Sequence, residues 1–410
     1  MRRQAAGGAR VWWVVVAMAV AVLPLPIDSF GLVVALPSIG ARFSATTATL
    51  AWVLNGAMLA FGAGVMVLGR LSDVFGRRRM VLYAMAVLGA GSMGCALAPS
   101  MGVLIAFRVL EGAGMAGVYA ASFPIVNHAF PPARRAMGLG LWAGGFMLGT
   151  VIGPPLAGWL VQHLSWRWIF WINVPLLAVA LALTLFAVEE SRDEGASRRL
   201  DWFGIVVPTV GVFCLLFALQ SASGLGWGSP AVIATLVAGP LLLVLFVVVE
   251  PRRPEPLIDF GLFTSRAYWS AAGVAFAGNV AFAAILFLTP LYLQVALGYT
   301  PLGAGTVLLA VSVPCFVLSV LAGPACSRFG TRLPMMVGMV SLTIATAAFA
   351  TVDPGSGLGL VVPVLIVTGI GLAGAFNGSN IAGVAAVPEA KAGAGSGVLS
   401  QVRLVGQTFG

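Results

Sequence analysis

The chain has 410 residues, 60% of them hydrophobic and only 9% charged, with a formal net charge of +9. Soluble globular domains carry roughly a quarter charged residues, so this composition excludes one. Apolar segments of about 18 residues or more recur along the whole length, each long enough to cross a hydrocarbon layer of about 30 Å. The strands of a β-barrel would alternate apolar and polar residues instead, so the fold class is an all-α polytopic membrane protein.

Taken in chain order, MRRQAAGGAR is followed by an apolar run too long for the core of a secretory signal. It continues past Asp28 and reads as an uncleaved first span. Twelve complete spans are predicted: 11–37, 47–70, 80–98, 101–125, 137–162, 167–187, 202–220, 231–249, 269–295, 302–325, 335–352 and 358–384. A thirteenth begins near 395 and is expected to continue beyond Gly410. With the N-terminus inside, all of the 22 Lys and Arg residues fall on inner loops except Arg42, Arg167, Arg108 and Arg403. The first two are outside and the last two lie within spans. This asymmetry sets the topology by the positive-inside rule, places the N-terminus in the cytoplasm, and accounts for the positive charge without a nucleic-acid partner.

Cys95, Cys214, Cys315 and Cys326 lie in or at the ends of spans with no CxxC spacing, and His128 and His163 stand singly at span ends. They provide no disulfide framework and no metal site. No GxxxxGK[ST] loop is present, so ATP is not the direct energy source. GAGSG at 393–397 opens a span rather than a βα unit. No cofactor is expected.

Between spans two and three stands GRLSDVFGRRRM, 69–80, which crowds Arg70, Asp73, Arg77, Arg78 and Arg79 into ten positions. Gly69 allows two helix ends to approach and Gly76 a tight reversal. Asp73 can sit near the positive end of a neighbouring helix or pair with an arginine. The arginines can also simply anchor the loop inside. GPACSRFGTRLPM, 323–335, is a weaker echo: Gly69, Phe75, Gly76 and Arg78 match Gly323, Phe329, Gly330 and Arg332 at one offset of 254. Two similar halves follow, as in secondary transporters. Residues 1–187 form an N-terminal six-helix half, 188–250 a linker with two inserted helices, and 251–410 an incomplete C-terminal half.

Span five carries Gly145, Gly149, Gly153 and Gly158 around Pro154 and Pro155. Small residues four apart permit close helix contact, and the prolines remove two backbone donors. Only Asp28, Arg108 and Glu111 are ionisable residues well within spans. Each costs about 2.5–3.5 kcal/mol to insert and should face protein and pair. Arg108 and Glu111, three apart, share a helix face. Arg108 lies about 10 Å, and Asp28 about 14 Å, from the outer ends of their spans, so the three can meet. A helix cap for Asp28 and a static ion pair for the other two are the alternatives.

These stretches together resemble the Major Facilitator Superfamily, in particular its fourteen-span drug/proton antiporter branch (EmrB/QacA type). GRLSDVFGRRRM is similar to the superfamily's loop motif and FRVLEGAGMAG, from Phe107, to its span-four motif. GTVIGPPLAGW, from Gly149, is similar to the antiporter motif, and PIDSFGLVVALP, from Pro26, to the branch's span-one motif. WRWIFWINVP, EPLIDFGLF and LYLQVALGYTPLGAG match further landmarks. Glu111 stands where the family usually has Gln, Ala157 where it has Gly, and Ser327 where the second loop has Asp. Phe30 and Val33 replace the usual Thr and Asn. The resemblance implies a cytoplasmic latch between the halves formed by Gly69, Asp73, Gly76, Arg77, Arg78, Gly330 and Arg332. It also implies a leak-limiting bend at Gly149, Gly153, Pro154 and Gly158, and proton coupling through Asp28, Arg108 and Glu111.

The function expected is proton-coupled export of lipophilic, often cationic, toxic compounds from the cell membrane by alternating access, as a monomer, with protons, lipid and small molecules as partners. Export of a specific endogenous metabolite, such as a self-made antibiotic, is the alternative. An enzyme would show clustered His, Asp, Ser or Cys at one face, and a sensor a soluble output domain; neither is found. Phe276, Phe282 and Phe287 in span nine either line a pocket or form a lipid-facing stripe.

Overall fold

The computed structural model describes residues 2–131, 134–192, 202–253, 265–353, 355–386, 398–399, 402–403, 405–407 and 409. It divides into two compact units, Met1–Leu200 and Asp201–Gly410. Eleven helices among the described residues are long and apolar enough to cross a membrane. The helix at the seventh predicted span holds a shorter apolar stretch, Val206–Leu219. The thirteenth span falls largely outside the described residues.

Unit one contains α1 (Arg2–Val22), α2 (Pro24–Phe43), α3 (Thr47–Phe75), α4 (Arg77–Leu97), α5 (Met101–Ala129), α6 (Arg135–His163), α7 (Trp168–Trp171) and α8 (Asn173–Ala187). The first span is thus two helices joined at Leu23, because Pro24 and Pro26 lack the N–H groups that would continue the ladder. Thr46 and Ser100 open α3 and α5 by accepting from Thr49 N and Val103 N through their hydroxyls. Glycines bring α5 against two neighbours. A Cβ on Gly112 would meet the Ala57 backbone of α3, and one on Gly114 or Gly117 would meet Leu88 or Ala84 of α4. Met18, Leu25, Val81, Leu88, Met115 and Ile125 fill the core between them.

Unit two contains α9 (Trp202–Leu225), α10 (Pro230–Val249), α11 (Arg266–Leu291), α12 (Pro301–Val307), α13 (Leu309–Phe329), α14 (Arg332–Phe349) and α15 (Gly357–Ala385). Helices α9 and α10 pack on each other through the close approach of Gly239 to Gly211 and Leu215. Helix α15 packs on α11, α13 and α14, as α5 packs on α1, α3 and α4 in unit one. The glycine contacts repeat too. Gly369, Gly371 and Gly374 press on Val311, Leu342 and Gly338. These are the counterparts of the Gly112, Gly114 and Gly117 contacts, at offsets of 257 residues in α15 and the same 254 in its partners. The loop echo therefore extends to helix packing.

The α3–α4 junction explains one glycine of GRLSDVFGRRRM but not the other. Gly76 has φ +114° and separates the two helices with no other linker. A Cβ there would also lie 2.6 Å from Glu190 Oε1. Gly69, expected at a helix end, instead lies inside α3, where a Cβ would make ordinary 3.7 Å contact with Ala120. Gly330 repeats the left-handed conformation at φ +73° with nothing within 4 Å of a Cβ. The strain of a positive φ costs about 1–2 kcal/mol for an L residue. Gly76→Ala, which must also displace Glu190, is therefore predicted to lower the melting temperature more than Gly330→Ala does. Equal shifts in thermal unfolding would refute the contact with Glu190.

Candidate functional site

Asp28 lies in the second turn of α2, just past the proline break, and caps nothing. What holds that turn in place is span five. Gly149 lies against Leu23 O and Pro26, and Gly153 against Ile27, whose Cα is 3.1 Å from the Cβ position. Further along α6, Ala157 meets Gly31 and Gly145 meets Ala19. The contact stride is thus 145, 149, 153 and 157. Gly158 is buried one position off it, and Pro154 is buried while Pro155 is half-buried. The Ala at 157 is accommodated because its partner, Gly31, has no side chain.

Asp28, Arg108 and Glu111 come together, all three with fully buried side chains. Arg108 Nη1 donates to Asp28 Oδ2 at 2.5 Å and to Glu111 Oε2 at 2.6 Å. Arg108 Nε donates to Val53 O of α3 at 2.8 Å, and the guanidinium carbon stands 5.7 Å from the Phe170 ring centre. On the other side, Glu111 Oε1 accepts from Ser92 Oγ of α4 at 2.5 Å and from Asn173 Nδ2 of α8 at 3.4 Å. Cys95 Sγ lies 3.5 Å from Glu111 Oε2. Glu111 is thus surrounded by donors, whereas Asp28 has one and its Oδ1 has no hydrogen-bond partner. Two carboxylates face one cation. Left unprotonated the cluster carries one net negative charge away from water, a costly state in an apolar interior.

Ser92, Asn173 and Phe170 were not foreseen as site residues. Asn173 belongs to the WRWIFWINVP stretch, where a lone amide among apolar residues was the available signal. Ser92 sits in GAGSMGCA, in which only burial distinguishes it from a packing residue.

The loop residues form a second cluster at the far end of α3. Asp73 Oδ1 accepts from Arg77 Nε at 3.0 Å and from Nη2 at 2.8 Å across the Gly76 reversal. Glu190, just past α8, takes the N-terminal position on α4, accepting from Arg78 N at 3.1 Å and Arg79 N at 3.3 Å. A carboxylate there satisfies otherwise unpaired donors and suits the helix dipole. Arg77 N donates to Ser191 O, Arg78 Nη2 to Leu185 O, and Arg10 pairs with Glu189. Arg332 opens α14 in unit two.

The positions in unit two that correspond to Asp28, Arg108 and Glu111 are Phe282, Leu365 and Thr368, and these three line one small apolar void. Phe282 and Leu365 are buried, and Thr368 returns its hydroxyl proton to Val364 O at 2.8 Å. Phe276 touches Phe409 edge-on. Among the described residues, no group of three or more His, Cys, Asp or Glu could hold a metal ion.

The chain is similar in sequence to the multidrug resistance protein Stp of Mycobacterium tuberculosis, with 34% identity across 94% of this chain and 71% of the relative. It is 32% identical to the tetracenomycin C resistance and export protein of Streptomyces glaucescens, over 98% of this chain and 74% of that protein. The drug efflux pump JefA of Mycobacterium tuberculosis is also 32% identical, over 92% and 74%. Among solved structures, a bacterial homologue of the lysosomal transporter Spinster superposes with a TM-score of 0.67 at 18% identity, covering 98% of this chain and 81% of that one. A POT family transporter superposes with a TM-score of 0.72 at 14% identity, covering 96% and 88%. The Major Facilitator Superfamily profile matches residues 18–410. With eleven apolar spans among the described residues, repeated helix packing in its two units and that match, the chain belongs to the Major Facilitator Superfamily and is a multi-pass membrane transporter, not an enzyme.

Proposed function

We propose that the protein is a proton-coupled exporter of lipophilic, often cationic, toxic compounds, working by alternating access in the cell membrane with its N-terminus in the cytoplasm. The observation that carries this reading is the enclosed cluster of Asp28, Arg108 and Glu111. One proton makes it neutral. Glu111, with donors from α4, α5 and α8, is the member that stays charged, and Asp28 is the member that takes the proton. Opening the site changes both the apolar surroundings and the pairing with Arg108, so the proton is bound in one state and released in another. Drug and antibiotic export by the relatives named above supports the substrate class. The paired helices α9 and α10, inserted between the repeated groups, support the fourteen-span antiporter branch and the division at about 188 and 250. The test is uptake of a lipophilic cationic dye into inverted vesicles with the pH gradient imposed or collapsed. Uptake unaffected by collapse would overturn the reading.

The relative named for tetracenomycin C resistance and export favours a second reading, export of one specific endogenous metabolite such as a self-made antibiotic. A substrate panel separates the two, since a dedicated exporter moves one chemical class and a multidrug exporter several.

The α3–α4 loop is proposed as the element that must release during the cycle. Asp73→Asn removes the acceptor for Arg77 from a partly exposed site without removing apolar area. It is expected to leave membrane insertion unchanged and to reduce dye uptake at least several-fold. Wild-type uptake at wild-type expression would return the stretch to a topological anchor.

A further inference from the structure

The WRWIFWINVP stretch has an amide that transport as described so far does not use. Asn173 Nδ2 donates to Ser92 Oγ at 2.8 Å, and Ser92 Oγ in turn lies 2.5 Å from Glu111 Oε1. Both side chains are fully buried. Because the serine oxygen receives the amide proton, its own proton is directed at the carboxylate. The opposite amide orientation would turn Oδ1 toward Glu111 Oε1, 3.4 Å away, placing a lone pair against a carboxylate. The chain from Asn173 through Ser92 therefore has one direction, and it ends on Glu111.

We infer that Asn173, acting through Ser92, is a positioning residue that keeps the negative charge on Glu111 and so leaves the exchanged proton to Asp28. This rests on the proton-coupling reading above. A hydrogen bond to the charged form of an acid disfavours its protonation. With Ser92 and Asn173 donating to it, Glu111 loses the competition for the single proton. Without them the two carboxylates, joined through one guanidinium nitrogen, share it as a coupled pair.

The groups facing the cluster are few. Helix α2 brings Asp28, α3 the Val53 carbonyl, α4 Ser92 and Cys95, α5 Arg108 and Glu111, and α7 the Phe170 ring. Helix α6 brings glycine and alanine to α2, with Arg135 and His163 at its two ends. Asn173 and Ser92 are thus the amide and hydroxyl donors at Glu111 Oε1, beside the Cys95 thiol at Oε2.

The test is infrared difference titration of the full chain in lipid nanodiscs, following the carbonyl absorption of a protonated carboxyl group, which needs no knowledge of the substrate. In the wild type, carbon-13 labelling of the aspartate carboxyl groups shifts this signal and labelling of the glutamates does not, and Asp28→Asn removes it. In Asn173→Ala and in Ser92→Ala, part of the signal is expected to shift with glutamate labelling, and its midpoint to rise by only about 0.3 unit when the two carboxylates share the proton equally. A signal that shifts with aspartate labelling alone in both variants, with Asp28→Asn still abolishing it, overturns the role of Asn173 alone and leaves the proton site standing. Persistence of the wild-type signal in Asp28→Asn overturns the proton site, and the inference with it. Ser92→Ala breaks the same chain at its middle and serves if Asn173→Ala does not fold.

Discussion

Asp28→Asn is expected to abolish proton-driven uptake while leaving the protein folded and in the membrane. The substitution is close to isosteric, and its amide can still offer an oxygen to Arg108 Nη1, which now lies 2.5 Å from Oδ2. What disappears is the group that alternates between neutral and charged. The variant cluster, Arg108 with Glu111, is neutral without a proton, so an imposed gradient has nothing to act on there. The measurement is uphill accumulation in inverted vesicles at matched expression, beside equilibrium exchange of a neutral substrate, which should persist. Accumulation at the wild-type rate would mean that the coupling carboxylate lies elsewhere.

Arg108→Leu is expected to have the largest effect on stability. Removing one partner of a buried charge pair costs about 3–5 kcal/mol, because it strands the other charge away from water. Here two carboxylates lose their shared donor, and Val53 O loses the guanidinium N–H as well. Adding Asp28→Asn and Glu111→Gln to Arg108→Leu should recover most of that stability and none of the transport. Unit two illustrates the uncharged solution, since Phe282, Leu365 and Thr368 occupy the matching positions without an ion pair. Thermal unfolding of the purified variants distinguishes the cases. A single variant as stable as the wild type would show that the cluster contributes nothing to folding.

Much of the architecture could be read from residue order because membrane insertion depends on local properties. Whether a segment spans depends on its own apolar length, and orientation depends on the arginines of the loops beside it. Among the described residues, each of the twelve predicted apolar runs is helical, eleven of them long and apolar enough to cross, and the break in the first span follows from Pro24 and Pro26. The offset of 254 between the two loop motifs already implied a repeat.

Side-chain pairing is different, since it depends on how far apart helix axes lie, and that is set by residues with no charge at all. Arg108 and Glu111 could be placed on one face of α5 from their spacing, and Asp28 at a compatible depth. That they meet is decided by Gly149 and Gly153 holding α2, and by Gly91 and Gly112 letting α4 and α3 approach α5. The direction of the serine–asparagine chain and the bare Oδ1 of Asp28 follow from the same packing. Glu190 is the clearest case. In sequence it is one of two adjacent acids, Glu189 and Glu190, directly after the sixth span, more than a hundred residues from the loop it caps. Only the fold brings its carboxylate to the first N–H groups of α4, because those donors have no partner within their own helix and must take one from another segment.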